Sequence, residues 1–506
     1  LSYFKDEYRA HIEEKFCPAC SCEELFTSPC QNTCPGGIDI PEYIGLIAQE
    51  RFSEALAVIK ERNPFPAICG RVCHHPCELK CRRGEIDEPV AINALKRFVS
   101  DYEGPGIEKR NEPLPKPSKR EKIAIIGAGP AGLTCAHYLA RWGYPVTIFE
   151  ALPVTGGMLR VGIPDYRLPK DILDEEIFSS VESLGVTIKK GVKIGEDIAF
   201  NELFDMGYSC IFIAMGCHIS RKLNIPGEDM EGVLDGVAFL RNINLGQKLQ
   251  LGERLVVIGG GNVAVDAARS ALRLGAKEVN ILYRRSSREM PAIESEVEAT
   301  RGEGIKFHFL AAPVRILSFN GKIRGIECVK MRLGEYDESG RRRPIPISGS
   351  EFFFPADCVI SAIGQMSDIS FLPSSIEKTR WDTIYVNPKT LATNKEGVFA
   401  GGDAVSGPAT VIEAIASGEK AAISIKRYLN KEPLERPIES KKKYFEESDL
   451  IDIEPSPEKR VRIPCLSLEE RKKGFKEVEK GLQSDEAIKE AKRCLRCDVE
   501  MFRSKR

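Results

Sequence analysis

The 506-residue chain has no surplus of charge of either sign. Lys and Arg number 73 against 74 Asp and Glu, a formal net charge of −1. That balance argues against nucleic acid or an anionic membrane as the main partner. No apolar run approaches the ~18–20 residues needed to span a bilayer, so no membrane span is expected. The opening stretch LSYFKDEYRAHIEEKF is charged throughout and lacks the apolar centre of a signal peptide. These absences predict a cytoplasmic protein. The first residue is Leu1 rather than Met, from which a longer chain, cut or incompletely represented, is expected. The hydrophobic content of 42% is ordinary for a folded protein, and the length predicts roughly three domains.

Cysteine is abundant but unevenly spread. Nine of the 17 lie in the first 81 residues and two at the very end. Six others, Cys135, Cys210, Cys217, Cys328, Cys358 and Cys465, fall mostly in apolar stretches and read as buried structural thiols. In a reducing compartment the crowded ends point to metal or redox chemistry rather than disulfides.

Along the chain, residues 29–104 read as short helices between Cys-rich loops, and GPGIEKRNEPLPKPSKR as a linker. Two copies of one pattern follow, strand, Gly-rich turn, helix, strand: KIAIIGAGPAGLTCAHYLARWGYPVTIFE at 122–150 and RLVVIGGGNVAVDAARSALRLGAKEVNILYRR at 254–285. A lone G-x-G-x-x-G is weak, but a strand before it and a helix after it make a dinucleotide fingerprint. In the first copy Gly127, Gly129, Pro130, Ala131 and Gly132 open the helix at whose N-terminus a pyrophosphate would sit. Glu150 ends the next strand, 23 residues after Gly127, where an acid accepts from ribose hydroxyls. The second copy, with Gly259, Gly261, Asn262 and Val263 at its turn, ends instead in Arg284 and Arg285, with Arg288 four residues on from the first. Guanidinium groups suit a 2′-phosphate, so NADP is expected there and not NAD. Two dinucleotide sites in one chain predict hydride transfer between NADPH and a flavin.

A third segment, EGVFAGGDAVSGPATVIEAIASGEKAA at 396–422, resembles the flavoprotein disulfide-reductase superfamily. The resemblance implies FAD, with Gly402 and Asp403 at its ribityl–pyrophosphate region and Thr410 near its ring; Gly157, in GGMLRVGIPDYRLP, belongs to the same expected site. IAMGC (213–217) and SAIGQ (361–365) resemble the superfamily's crossover strands and imply an NADP domain inserted in an FAD domain. The redox Cys pair of those enzymes is missing, since residues 121–430 hold neither Cys-x-x-Cys nor Cys-x4-Cys. No catalytic side chain is expected beyond the cofactors, and electrons must leave by another route.

That route is expected at the cysteine clusters. SPCQNTCPGG places Cys30 and Cys34 as the closing half of a ferredoxin-type run, C-x2-C-x2-C-x3-C-P, with its opening half missing. AICGRVCHHPCELKC places Cys69, Cys73, Cys77 and Cys81 at four-residue spacing. RCLRC near the C-terminus adds Cys494 and Cys497. If the tail folds back beside Cys30, eight thiolates suffice for two [4Fe–4S] clusters; Zn is the alternative reading. Over residues 29–430 the chain resembles the small NADPH-oxidising subunit of bacterial glutamate synthase and its relatives, among them the iron–sulfur/FAD half of dihydropyrimidine dehydrogenase and the large subunit of ferredoxin-dependent transhydrogenases. NPFPAICGRVCHHPCE, DEPVAINALKRF, GAGPAGL, GGMLRVGIPDYRLP, GGGNVAVDAAR and GPATV carry it. In those relatives the RCL-x-C block precedes the Cys-x3-Cys-Pro run; here it stands at the opposite end. The resemblance implies one cluster on Cys30, Cys81, Cys494 and Cys497 and another on Cys34, Cys73 and Cys77. Some relatives complete the second with a Gln or Glu at the position of Lys96, which cannot ligate, so Cys69 is the expected fourth ligand. His74 and His75 read as supporting or surface residues.

YFKDEYRAHIEEKFCP resembles the tail after the NADH-binding flavoprotein domain of soluble, complex-I-like hydrogenases. There His11, Cys17 and Cys22 (or Cys20) would hold Zn or a further cluster, or form an unligated tail. The expected fold is α/β: two Rossmann-like domains and an N-terminal helical iron–sulfur domain. The expected boundaries are an extension (1–28), the helical [4Fe–4S] domain (29–104), a linker (105–120), the FAD domain (121–245 and 361–430), the NADP domain (246–360) and a returning tail (431–506). The expected function is an FAD- and iron–sulfur-dependent NADPH oxidoreductase subunit. Its expected partner is an NADH-binding flavoprotein or ferredoxin within an electron-bifurcating transhydrogenase-, hydrogenase- or formate-linked complex, or an amidotransferase subunit in a glutamate synthase.

Overall fold

The computed structural model describes residues 28–102, 118–435 and 459–498. His11, Cys17, Cys20 and Cys22 lie outside the described residues. The chain divides into two compact units.

The first unit is helical. Its elements are α1 (Pro29–Thr33), α2 (Ile40–Ala48), α3 (Phe52–Lys60), α4 (Pro66–Val72), α5 (Pro76–Leu79) and α6 (Ile92–Asp101). Each break is local chemistry. Ser28 and Asp39 cap α1 and α2 through their side-chain oxygens, and Pro stands in the first turn of α1, α2, α4 and α5. Tyr43, Ile44, Ile47, Ala55, Ile59, Ile68, Leu95 and Val99 form the buried core. Helices α4 and α6 cross so tightly that a Cβ on Gly70 would lie 2.7 Å from the Arg97 Cα.

The C-terminal helix Ser484–Ala491 belongs to this unit. Its cap is Gln483, paired in a capping box with Glu486. Ala487 and Ala491 are buried, and so is Glu490, whose carboxylate accepts from the N–H groups of Ala91 and Val461, both at 2.8 Å. Arg493, fully buried, donates to Glu490 (2.8 Å), Asp87 (2.9 Å) and the Glu88 carbonyl (2.7 Å). These bonds seat the RCLRC segment beside the loop that follows Cys81.

The second unit contains two five-stranded parallel sheets of matching design. In the first, β1 (Lys122–Ile126) stands between β2 (Val146–Glu150) and β4 (Tyr208–Ile213), with β3 (Thr187–Lys190) and β15 (Val398–Ala400) at the edges. In the other, β7 (Arg254–Ile258) stands between β8 (Glu278–Tyr283) and β13 (Cys358–Ser361), with β9 (Lys306–Phe309) and β6 (Val233–Asp235) outermost. Strands covered on both faces read as unbroken apolar runs, as KIAII and RLVVI do. Helix α7 (Pro130–Arg141) follows β1, and α9 (Asn262–Arg273) follows β7, the helix after β6 being α8 (Gly236–Asn244) and the one before β9 α10 (Glu294–Gly302). A short antiparallel pair, β5 (Ile219–Ser220) with β14 (Gln365–Met366), lies where the chain crosses between the sheets. The second sheet carries a three-stranded antiparallel layer, β10 (Ala311–Phe319), β11 (Lys322–Tyr336) and β12 (Arg342–Pro355).

Of the six cysteines between the clusters, five are buried, but Cys465 is exposed. It lies after Pro464 in an isolated antiparallel bridge with Glu479, so its backbone is engaged and its side chain is left outside any core.

Candidate functional site: two dinucleotide turns and two thiol groups

The turn after β1 places its three glycines in three different roles. Gly127 has φ +106°, and a Cβ there would meet the Ala214 carbonyl oxygen at 2.5 Å. Gly129, the N-cap of α7, faces open space. A Cβ on Gly132 would lie 2.0 Å from the Gly127 carbonyl oxygen, so the third glycine serves helix–strand packing. The open position is where a phosphate group can approach the backbone and the positive end of the helix.

Gly127, Gly129, Pro130, Ala131, Glu150, Gly157, Gly402, Asp403 and Thr410 all line one cavity of about 470 Å³; Gly132 packs behind it. That volume is in the range of cofactor pockets. Glu150 is oriented by two backbone donors, the N–H of Ala128 at 2.7 Å and of Leu152 at 2.8 Å. Burial pushes its carboxyl upward against those two bonds. Asp403 is pushed up to about 6, chiefly by burial, with the Ala409 N–H opposing and Glu413 adding repulsion. Thr410 forms a capping box with Glu413 and starts α11 (Val411–Leu429), whose N-terminus opens on the same cavity. A Cβ on Gly418 would lie 2.4 Å from the Ala131 carbonyl oxygen, so the small-residue face of α11 lets it press against α7.

Lys193, His218, Arg241 and Asp368 also line the cavity, and no glycine motif marks them. His218 could have been found as the residue directly after the IAMGC crossover segment. It is lowered to about 4 by burial and by Arg241, which donates to the His218 carbonyl at 3.3 Å. It is therefore a neutral imidazole at pH 7.

At the second turn, Gly259 has φ +148° with its would-be Cβ 2.2 Å from the Ala362 carbonyl oxygen, whereas Gly261 again faces open space. Asn262 accepts from the Ile293 N–H at 3.0 Å, and Val263 packs against the core of this sheet. The arginines separate. Arg284 and Arg288 are exposed. Arg285 is buried, donating to Asp337 at 2.6 Å and to the Arg342 carbonyl at 2.8 Å.

The eight thiols of the helical unit fall into two groups. Cys30, Cys81, Cys494 and Cys497 line a single cavity walled by Ile40, Ile44, Ile92 and Leu495. Burial pushes the Cys30 thiol up to about 12, despite the Ser28 hydroxyl at 3.3 Å, and pushes Cys494 up as well. All four are half-buried, and a cluster held there would take them as thiolates. In the other group Cys34, Cys69, Cys73 and Cys77 each act electrostatically on the buried Lys96 ammonium. Cys69 and Cys73 share a hydrogen bond, which raises Cys69 and lowers Cys73. The His75 N–H donates to the Cys73 sulfur at 3.3 Å, and His74 bonds the same sulfur. Tyr43, buried and donating to the Ile92 carbonyl at 3.1 Å, has thiols of both groups as neighbours. Among the described residues no three His, Cys, Asp or Glu side chains close around a single ion.

Residues 121–418 match the family described as pyridine nucleotide-disulphide oxidoreductase, and residues 2–105 match "Dihydroprymidine dehydrogenase domain II, 4Fe-4S cluster". The chain is 47% identical over 502 residues to the NADP(+)-dependent formate dehydrogenase subunit beta of Moorella thermoacetica, covering 93% of this chain and 70% of that one. It is 34% identical over 430 residues to the glutamate synthase [NADPH] small chain of Escherichia coli, covering 79% and 88%. In fold it is similar to Mycobacterium tuberculosis FprA in complex with NADPH, at a TM-score of 0.54 and 21% identity over 62% of this chain and 85% of that one. No helix among the described residues is long and apolar enough to cross a membrane. The chain thus belongs to the pyridine nucleotide-disulphide oxidoreductase family, as a flavin- and pyridine-nucleotide-binding oxidoreductase that carries an N-terminal iron–sulfur domain.

Proposed function

We propose that the chain is the NADPH- and FAD-binding electron-transfer subunit of a cytoplasmic multi-subunit complex, exchanging electrons with a partner protein through two [4Fe–4S] clusters. The observation that carries this reading is the cavity shared by Cys30, Cys81, Cys494 and Cys497, in a chain that also has a separate flavin-sized cavity. FAD, when bound, supplies the conversion between hydride and single-electron chemistry, and the clusters supply one-electron carriers. The protein's share is binding and orientation. Glu150 would accept from ribose hydroxyls, Asp403 from the ribityl region, and the N-termini of α7 and α11 would face the phosphates and the ring. At the second turn the exposed Arg284 and Arg288 would meet the 2′-phosphate, with Arg285 behind them. The second thiol group would comprise Cys34, Cys73, Cys77 and Cys69.

The Moorella relative makes a formate-oxidising partner the first choice; the electron-input role in a glutamate synthase is the second, favoured by the Escherichia coli relative. Two measurements test the proposal. NADPH should bleach the bound flavin, and iron per chain should fall by about half in the Cys494→Ala/Cys497→Ala variant, since each cluster has four thiolate ligands. Unchanged iron in that variant would refute the shared cluster. Failure of NADPH to bleach the flavin would refute the oxidoreductase assignment to NADPH. The protein that co-purifies, formate-oxidising or amidotransferase, decides between the two partners.

A further inference from the structure

Lys96 is 6% exposed, on a helix whose other buried residues are mostly apolar. One turn before it, Asn93 ties this helix to both thiol-bearing helices, its side chain donating to the Gly70 carbonyl of α4 at 2.8 Å and its N–H to Glu78 of α5 at 2.9 Å. The Lys96 ammonium thus has Cys73, Cys69, Cys77 and Cys34 as electrostatic neighbours, and among the described residues it pairs with no carboxylate. The nearby carboxylate is already committed: Glu78 accepts from the Asn93 N–H at 2.9 Å and from Arg460 at 2.6 Å. Burying an ammonium costs several kcal/mol unless an anion faces it. Neutral thiols cannot offset that cost. A cluster held by four thiolates can, because it is a net anion that gains one further negative charge on reduction.

Among the described residues the other thiol group has no equivalent. Its arginines are matched by acids, Arg83 with Asp87 at 2.6 Å, Arg493 with Glu490 at 2.8 Å and Arg496 with Asp498 at 3.1 Å. Lys80 and Arg82 line its cavity but are exposed, where water and salt screen them. One group therefore has a bare buried cation and the other has none.

We propose that Lys96 is a fixed counter-charge that raises the reduction potential of the cluster on Cys34, Cys69, Cys73 and Cys77. A buried cation stabilises the reduced, more anionic state more than the oxidised one, and net charge around a cluster is among the terms that set its potential. This rests on the reading that those four thiols hold a cluster.

The experiment is a potentiometric titration of the intact holoprotein, followed by electron paramagnetic resonance, with iron and sulfide counted in parallel. In Lys96→Met, nearly the same length without the charge, iron should stay at the wild-type level. One cluster signal should shift to lower potential by at least tenfold in its one-electron equilibrium, 59 mV, with the other unmoved. Lys96→Arg should keep the wild-type potential. Loss of iron in Lys96→Met with full retention in Lys96→Arg is the same effect in stronger form. Unmoved potentials in a fully loaded Lys96→Met protein, or equal loss of iron in both variants, would overturn the proposal. A Cys34→Ser/Cys77→Ser variant that keeps all its iron and both signals would instead overturn the cluster reading itself.

Discussion

Both units bury arginines and pair them with acids, but the helical unit also buries one lysine that no acid pairs with among the described residues. In the flavin-binding unit the cations are balanced on the spot. Arg167 pairs with Asp266 at 2.8 Å, Arg269 with Glu303 at 2.7 Å, and Arg273 with Glu303 at 2.7 Å, while Glu296 takes ion pairs from both Arg167 and Arg269. Tyr166 lies beneath, its ring facing the guanidinium groups of Arg269 and Arg273 at 4.7 and 4.0 Å. Three arginines meet three carboxylates. The loop holding Tyr166 and Arg167 follows β2 of the first sheet, whereas Asp266, Arg269 and Arg273 lie on α9 of the second. This network joins the two dinucleotide-binding sheets. In the helical unit, by contrast, Lys96 has only thiols as charge partners among the described residues. A charge neutralised within the chain is part of the fold, and a charge left uncovered is a seat for something the chain binds.

The largest effect should come from unbalancing the paired set. Glu303 is buried with both Arg273 and Arg269 on its carboxylate, and against the burial that would raise it, those two guanidinium groups hold it below the usual range. Glu303→Ala strands two buried guanidinium groups, and removing one partner of a buried pair costs about 3–5 kcal/mol. Urea unfolding followed by flavin fluorescence should show that loss. A loss under 1 kcal/mol would mean the network does not stabilise the junction, and the contrast with Lys96 would disappear.

How much of this was legible in the sequence follows the same divide. The glycine turns, Glu150 and the thiol runs are local patterns, in which spacing along the chain is spacing in the fold, and each ends up at a cavity or turn. The return of RCLRC could be inferred because half a cluster motif requires its complement. The arginine network could not. GIPDYRLP was visible as a shared stretch, but nothing in it names Glu303, which is 136 residues beyond Arg167. Cys465 misled for a related reason: neighbouring apolar letters do not say whether a segment is core or merely a bridge at the edge. Lys96 was legible only as a position where a ligand was missing. Its burial among sulfurs depends on α4, α5 and α6 converging.

The flavin cavity offers a mirror image of Lys96, an acid that no cation pairs with among the described residues. Asp403 has a folded-state value of about 6 against an ordinary 3.8. Its neutral form is favoured in the fold, so stability is unaffected below pH 4. It is lost as pH rises from 4 through 6, by about 2–3 kcal/mol in all. In the flavin-free protein Asp403→Asn should therefore be more stable than wild type at pH 7.5 and equal to it at pH 4. With FAD bound, donors to the carboxylate should shrink the difference at pH 7.5. A pH-independent difference in the flavin-free protein would show that Asp403 is not an uncovered charge.

The smallest and sharpest test separates two adjacent arginines. Arg285 is covered by Asp337 and the Arg342 carbonyl, whereas Arg284 is exposed at the end of the same strand. If uncovered charges are the ones kept for ligands, Arg284→Ala should raise the KM for NADPH about tenfold. That is the loss of one charge-assisted phosphate contact of roughly 1.5 kcal/mol. The KM for NADH, which lacks the 2′-phosphate, should not move. Arg285→Ala should change the NADPH KM by less than about threefold, because its donors are already engaged in holding β8 to the hairpin of β11 and β12. The reverse order would mean that NADPH draws Arg285 away from Asp337. The division between paired structural charges and bare functional ones would then fail at the site where it is easiest to measure.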